Sequence, residues 1–356
     1  MTTSTEAPRP LGGAGTTDGR TTTQAVTRNR FGSPDVLSVR DIDRPQLPIG
    51  NVLVEVHAAG VNRGDALEMR GWPYLARVMG YGIRRPKHPV LGTDVAGTVI
   101  ALSEGVSEFD VGDEIVGFAT GAFAELATLP ASTAVHRPET ISAEAAAAMP
   151  TTAVTALQAI RDAARVEPGQ HVAIIGASGG VGTFAVQIAK AHGAEVTGVA
   201  SGRNADLVRS IGADHVLDYA TDDIAMHTGR YDAIVDLVGN QAIRSLRHAL
   251  TPTGTFVVVG GQNPQTLTGM RRFAAAAAMS PFTRQRLVPL FSKPNRDDLD
   301  AVIELARTGA VRPIVGRAFE LSDIAEAIRQ IETGHGVGRT VVTIGTRTTH
   351  GGDPRP

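Results

Sequence analysis

The chain has 356 residues, of which 42% are hydrophobic and 20% charged, with a formal net charge of −2 and no cysteine. At ~100–200 residues per domain this length suits about two globular domains with sizeable cores. The charge balance offers no basic excess for nucleic acid or an anionic membrane surface, and the missing cysteines exclude disulfides and thiolate metal sites. No apolar run approaches the ~18 residues that span a bilayer. The expectation is a cytoplasmic protein whose partner is a small-molecule substrate, with no nucleic acid and no membrane.

Residues 1–24 are rich in Thr, Gly and Pro and lack both a core-forming run and the apolar stretch of a signal peptide, so they read as a disordered tail. Residues 25–150 form a block of short strands punctuated by Gly and Pro. Residues 52–56 alternate in the strand manner, 95–102 are rich in β-formers, and Gly112-Asp113-Glu114-Ile115-Val116-Gly117 reads as a turn entering a strand.

The pattern changes over residues 151–289 to alternating strand and helix. Strands are predicted over 171–175, 195–200, 215–219, 231–238 and 255–259. Helices are predicted over 184–192, 204–211 and 241–250. This alternation predicts a parallel, doubly wound sheet with right-handed crossovers. Residues 290–345 return to mixed structure, with helices over 299–308 and 322–332 and a strand over 339–344. Residues 346–356 form a second flexible tail, and no internal repeat is present.

One motif carries most of the chemistry. Ile174-Ile175-Gly176-Ala177-Ser178-Gly179-Gly180-Val181-Gly182 joins the first strand of the α/β block to its first helix. A pyrophosphate must approach the backbone of such a turn. Gly179 leaves room for it, Gly182 lets the helix pack close, and the helix N-terminus supplies free N–H groups. Ala177 stands where the usual fingerprint has its first Gly. The strand–turn–helix context favours dinucleotide binding over an ordinary βα turn. About 20 residues on, NAD-binding motifs of this kind carry an acidic residue for the adenine ribose. The second strand here ends in Ala200-Ser201-Gly202-Arg203-Asn204, without a carboxylate. Ser201 can hydrogen-bond and Arg203 offers a fork suited to a phosphate, which points to NADPH.

Several stretches in order resemble the medium-chain dehydrogenase/reductase superfamily, in its zinc-free, quinone oxidoreductase-like branch. They are Ala58-Ala59-Gly60-Val61-Asn62-Arg63-Gly64-Asp65, then His88-Pro89-Val90-Leu91-Gly92-Thr93-Asp94, then the run from Val111 to Gly117, residues 145–157, the Gly-rich turn, and Gly212-Ala213-Asp214-His215-Val216-Leu217-Asp218-Tyr219. The resemblance implies an α/β fold: a GroES-like β-rich catalytic domain, completed by the C-terminal segment, plus an inserted Rossmann domain with a doubly wound parallel sheet. It also implies a homodimer. Asn62 occupies the first Cys position of the zinc-dependent relatives and Thr93-Asp94 replaces their His-Glu pair, so no metal is expected.

By the same resemblance, Asn62 faces the nicotinamide ribose or substrate carbonyl and Thr155 lies near the pyrophosphate and nicotinamide. Ser178, Gly179, Gly180, Val181 and Gly182 hold the phosphates. Ser201, Arg203 and Tyr219 surround the adenosine 2′-phosphate. Gly260 and Gly261 let the nicotinamide approach, and Arg339 reaches the cofactor across the cleft. Many relatives carry a Tyr five residues after the early Asn, where this chain has Leu67. Tyr74, in the long loop after Gly71, is the local candidate for a substrate hydroxyl contact. Asp65 is expected to order its own loop, and Asp236 to be structural with partners in a buried strand.

The activity implied is hydride transfer from NADPH to a quinone or an α,β-unsaturated carbonyl, without zinc. Two alternatives stand beside it: an enoyl-thioester reductase, and a non-catalytic NADPH-binding or sensor protein on the same fold.

Overall fold

Two sheets set the architecture, and the chain visits the first of them twice. The structure, a computed structural model, describes residues 21–260 and 270–345. A hairpin of β1 (Thr22–Thr27) and β2 (Ser38–Asp43) leads in. Thr22 to Gln24, assigned above to the tail, therefore belong to a strand, because each pairs with a residue of β2. Next come β3 (Asn51–Val61), α1 (Arg63–Arg70), α2 (Tyr74–Ala76), β4 (Asp94–Leu102), β5 (Glu114–Phe118), β6 (Leu126–Pro130) and β7 (Ala134–His136). The helices α3 (Ala143–Ala147) and α4 (Pro150–Leu157) cross to the second sheet.

That sheet alternates β8 (His171–Ile175), α5 (Gly180–Ala191), β9 (Glu195–Ala200), α6 (Ala205–Ser210), β10 (His215–Asp218), β11 (Tyr231–Asp236), α7 (Ile243–Leu246), β12 (Leu250–Val258), α8 (Arg271–Met279) and β13 (Arg286–Pro289). The chain then returns through α9 (Arg296–Arg307), β14 (Val315–Glu320), α10 (Ile324–Thr333) and β15 (Arg339–Thr343).

The second sheet is parallel throughout, in the order β10-β9-β8-β11-β12-β13, with the strand order reversing between β8 and β11. The first runs β14-β15-β3-β4-β5-β7, with β6 beside β3. The fold is thus α/β, a GroES-like β-rich part with a Rossmann sheet inserted into it. The helix predicted over 241–250 proves shorter, and β12 starts at Leu250. Pro252 fits the early strand but could not continue a helix.

Packing explains why β8 reads as an unbroken apolar run. Val172 and Ile174 point into one core with Phe184 and Ile188 of α5, while Ala173 and Ile175 point into another with Ile234 and Leu246. Both faces of the strand are covered, as a parallel sheet requires. The first of these cores does not stop at the domain boundary. It runs from Ala58, Ala96 and Val116 of the first sheet, through Val154 and Leu157 of α4, to α5.

Candidate active site

The Gly-rich turn leaves the carboxyl end of β8 at the point where the strand order reverses. Gly176 takes a φ of 88°, and a Cβ there would come within 2.8 Å of Val238. A Cβ on Gly182 would come within 2.0 Å of the Gly176 carbonyl oxygen, so the first turn of α5 packs against this loop only with glycine. Gly179 is different. A Cβ there would meet only the Gly176 oxygen, at 3.4 Å, which leaves its outer side open to a ligand.

A cavity of about 540 Å³ opens over this turn. Of the predicted site residues, Ser178, Gly179, Gly180, Val181, Gly182, Ser201, Arg203 and Tyr219 all line it. At the end of β9, the Ser201 hydroxyl is buried and has no hydrogen-bond partner among the described residues. Arg203 is exposed, and the Asn204 amide donates to the Ser178 hydroxyl at 3.1 Å. Two carboxylates approach this end. Asp222 lines the cavity, but its Oδ2 accepts from the Asp218 N–H and the Thr221 hydroxyl, both at 3.2 Å. Asp218 Oδ1 accepts from the Ala220 N–H at 3.0 Å. Each acid accepts a hydrogen bond within its own turn, while Asp218 Oδ2 lies against Gly202.

Other expected residues lie elsewhere. Tyr74 does not line the cavity. It is 47% exposed on the surface, its ring 5.1 Å from the Arg77 guanidinium, because Gly71 closes α1 and α2 sets off outward. Thr155 is buried in α4 and its hydroxyl donates to the Thr151 carbonyl at 2.6 Å, one helical turn back. Gly260 follows β12, where a Cβ would come within 2.0 Å of the Leu237 oxygen; it serves close packing between strand ends. Gly261 lies outside the described residues.

Arg339 sits beneath the turn and does not line the cavity. Its guanidinium is buried and donates to the Ala148 and Val61 carbonyls, each at 3.0 Å, and to Asp94 Oδ2 at 3.2 Å. A Cβ on Gly180 would lie 2.9 Å from its Cδ. Beside it, the Gly338 N–H donates to the Ser178 carbonyl at 2.8 Å. The start of β15 therefore braces the phosphate turn from below. Asp94 also accepts from the Thr151 hydroxyl at 2.5 Å and the Thr151 N–H at 3.2 Å. Burial pushes the Asp94 carboxyl up and the Arg339 guanidinium down, and each opposes the shift of the other.

Asn62 caps α1 directly after β3, one residue from cavity-lining Arg63. Its amide faces Asp94 and favours that charge, yet the buried Nδ2 makes no hydrogen bond of good geometry. Asp65 orders this cap: its Oδ2 accepts the Asn62 N–H at 2.6 Å. Burial drives the Asp65 carboxyl up to about 7, against the pull of that hydrogen bond. Asp236 is buried as expected. Its Oδ1 accepts from the Val238 and Gly239 N–H groups, and its Oδ2 pairs with Arg272, a partner that the sequence did not reveal. Sequence reasoning also missed Asn240, Gln241 and residues 333–336, which line the cavity from the loop after β11 and from the end of α10 and the loop that follows it. Only the tertiary fold brings them there; the buried Gln241 Oε1, which has no partner, gave no local signal.

The residues present do not suit a zinc ion. The chain has no cysteine, Asn62 and Thr93 are not ligands of the required kind, and the Asp94 carboxylate is taken up by Thr151 and Arg339. Among the described residues no group of three or more His, Cys, Asp or Glu could hold a metal ion.

A Rossmann sheet, a Gly-rich turn at its switch point and a cleft shared with a GroES-like part define a nicotinamide-dependent, two-domain oxidoreductase class. The alcohol dehydrogenase GroES-like domain family matches residues 48–139, and the zinc-binding dehydrogenase family matches residues 211–342. The chain is 31% identical to the mitochondrial NAD(P)H oxidoreductase RTN4IP1 of Danio rerio, over 91% of this chain and 92% of that one. Among solved structures, the quinone oxidoreductase from Coxiella burnetii superposes with a TM-score of 0.81 at 29% identity, covering 91% of this chain and all of that one. A mycobacterial protein complexed with NADPH gives a TM-score of 0.75 at 26% identity, covering 90% of this chain and 99% of that one. The chain belongs to the medium-chain dehydrogenase/reductase superfamily, in its quinone oxidoreductase-like branch.

Proposed function

We propose that the protein is a zinc-independent, NADPH-dependent reductase of quinones or other activated, α,β-unsaturated carbonyls. The observation that carries the cofactor choice is the end of β9. There the unpartnered Ser201 hydroxyl stands beside exposed Arg203, and the nearby acids Asp218 and Asp222 each accept a hydrogen bond within their own turn. A 2′-phosphate would receive a hydrogen bond from Ser201 and a fork from Arg203. Tyr219, 57% exposed on the same wall, offers its ring to the adenine. The N–H groups at the start of α5 hold the pyrophosphate over the open side of Gly179.

When bound, the reduced nicotinamide supplies a hydride to an electron-poor double bond or quinone. The chain's task is then to hold the substrate and stabilise the oxygen on which charge develops. Asn62, which the family resemblance sets toward the substrate carbonyl, is the group proposed to donate to that oxygen; its buried amide faces Asp94 and would have to turn into the cavity to do so. Water delivers the final proton. The proposal includes a homodimer, as the family resemblance implies, and a cytoplasmic location, as the composition suggests.

The test is a titration with NADPH and with NADH, repeated on Arg203→Ala. NADPH should bind the parent at least about ten-fold more tightly, and the substitution should remove that preference while leaving NADH affinity in place. Equal affinities in the parent would overturn the 2′-phosphate assignment. A panel of quinones, enones and enoyl-CoA then separates the activities. Turnover of enoyl-CoA alone would make it a thioester reductase, and turnover of nothing would make it a binding protein.

A further inference from the structure

Whole-chain charge hides one local exception. Residues 71–93 contain no Asp or Glu, while Arg77, Arg84, Arg85 and Lys87 supply four positive charges. The same segment exposes large apolar side chains: Leu75 at 41%, Val78 at 70%, Met79 at 78% and Ile83 at 68%. Helix α2 continues as a wider helical turn over Arg77–Tyr81, so Leu75, Val78 and Met79, spaced i, i+3 and i+4, share one outer face.

That exposure is held in place by the inner side. Arg77 donates to the Gly71 and Arg70 carbonyls at 2.9 and 3.2 Å and lies 4.4 Å from the Phe31 ring. The Lys87 N–H closes the loop on the Tyr81 carbonyl at 2.8 Å. The apolar face is therefore turned outward on a fixed base, with a cationic flank.

We propose that residues 74–87 seat the protein on an anionic lipid surface. Leu75, Val78, Met79 and Ile83 would enter the headgroup–acyl boundary, and Arg84, Arg85 and Lys87 would meet anionic headgroups. Charge decides between this partner and a second copy of the chain. A two-fold contact through this face would set the same cations of both copies against each other, with no acid in the segment to relieve them. The proposal revises the expectation of no membrane partner, which rested on net charge and on the absence of a bilayer-spanning apolar run. It does not depend on the reductase reading, because binding is measured without turnover.

The full chain is sedimented with vesicles of phosphatidylcholine, with or without a quarter phosphatidylglycerol, at low and high salt. Light scattering gives the molar mass in parallel. The parent should sediment with the anionic vesicles at low salt and be released by salt. Val78→Asp/Met79→Asp should weaken partitioning by about ten-fold at unchanged molar mass. Arg84→Glu/Arg85→Glu should abolish the preference for anionic lipid. All these positions are exposed, so both variants should keep the parent's melting temperature. A parent that stays in the supernatant overturns the proposal, as do variants that bind as well as the parent. A fall in molar mass with vesicle binding unchanged would assign the face to self-association instead.

Discussion

Asp65 shows how much a single carboxyl beside the site can weigh. Burial holds it at about 7, whereas the exposed group titrates near 3.8. Between these values the folded state keeps a proton that the unfolded chain has released, so stability from this group is full at low pH and falls as pH rises toward 7. Asp65→Asn keeps an oxygen to accept the Asn62 N–H and cannot ionise. The melting temperature of this variant, measured relative to the parent, should rise from about pH 4 to about pH 7 and then level off. The difference cancels groups such as Asp35, which Ser33 and Arg329 hold low and whose contribution runs the other way. A difference that does not change with pH would mean that Asp65 does not titrate in this range. Residue positions were legible where a motif fixes both element and direction, as at Gly179, Ser201 and Arg203, which line the cavity. They were not legible for Thr155 and Tyr74, because a position in sequence names the element but not where the side chain turns. Thr155 spends its hydroxyl on its own helix, and Tyr74 sits on an outward face.

At the scale of elements, β15 matters beyond its place in the sheet. Its first residue joins the end of β3, the start of β4 and the α3–α4 corner through one guanidinium, while its Cδ lies against Gly180 of the Gly-rich turn. Arg339→Met would fill similar space but leave buried Asp94 without a cation. The expected loss of stability is roughly 3–5 kcal/mol by urea unfolding, with weaker NADPH binding. A loss below about 1 kcal/mol would mean that Asp94 is neutral in the folded protein. Sequence placed β15 correctly but aimed Arg339 at the cofactor. Its carbonyl and carboxylate partners come from three distant stretches, so no local pattern announces them. Element ends shifted for local reasons, as where α5 begins at Gly180, straight from the turn.

For the whole molecule, alternation of strand and helix was enough to predict the Rossmann sheet. The first sheet was another matter. Its strands come from both ends of the chain, and short strands carry no record of such a return, so only the family resemblance supplied it. The two parts also share one hydrophobic core across α4. Scanning calorimetry should accordingly give a single cooperative transition; two well-separated transitions would show that the parts unfold independently.

Gly338 and Arg339 reinforce a turn that precedes them by much of the chain. On the ribosome, β8 and α5 emerge while that reinforcement is still untranslated. Until it arrives, Asp94 has no counter-ion and the Ser178 carbonyl lacks its Gly338 donor. The nascent chain thus folds a Rossmann sheet before it owns a finished seat for a nucleotide, and competence to bind waits until β15 has been made.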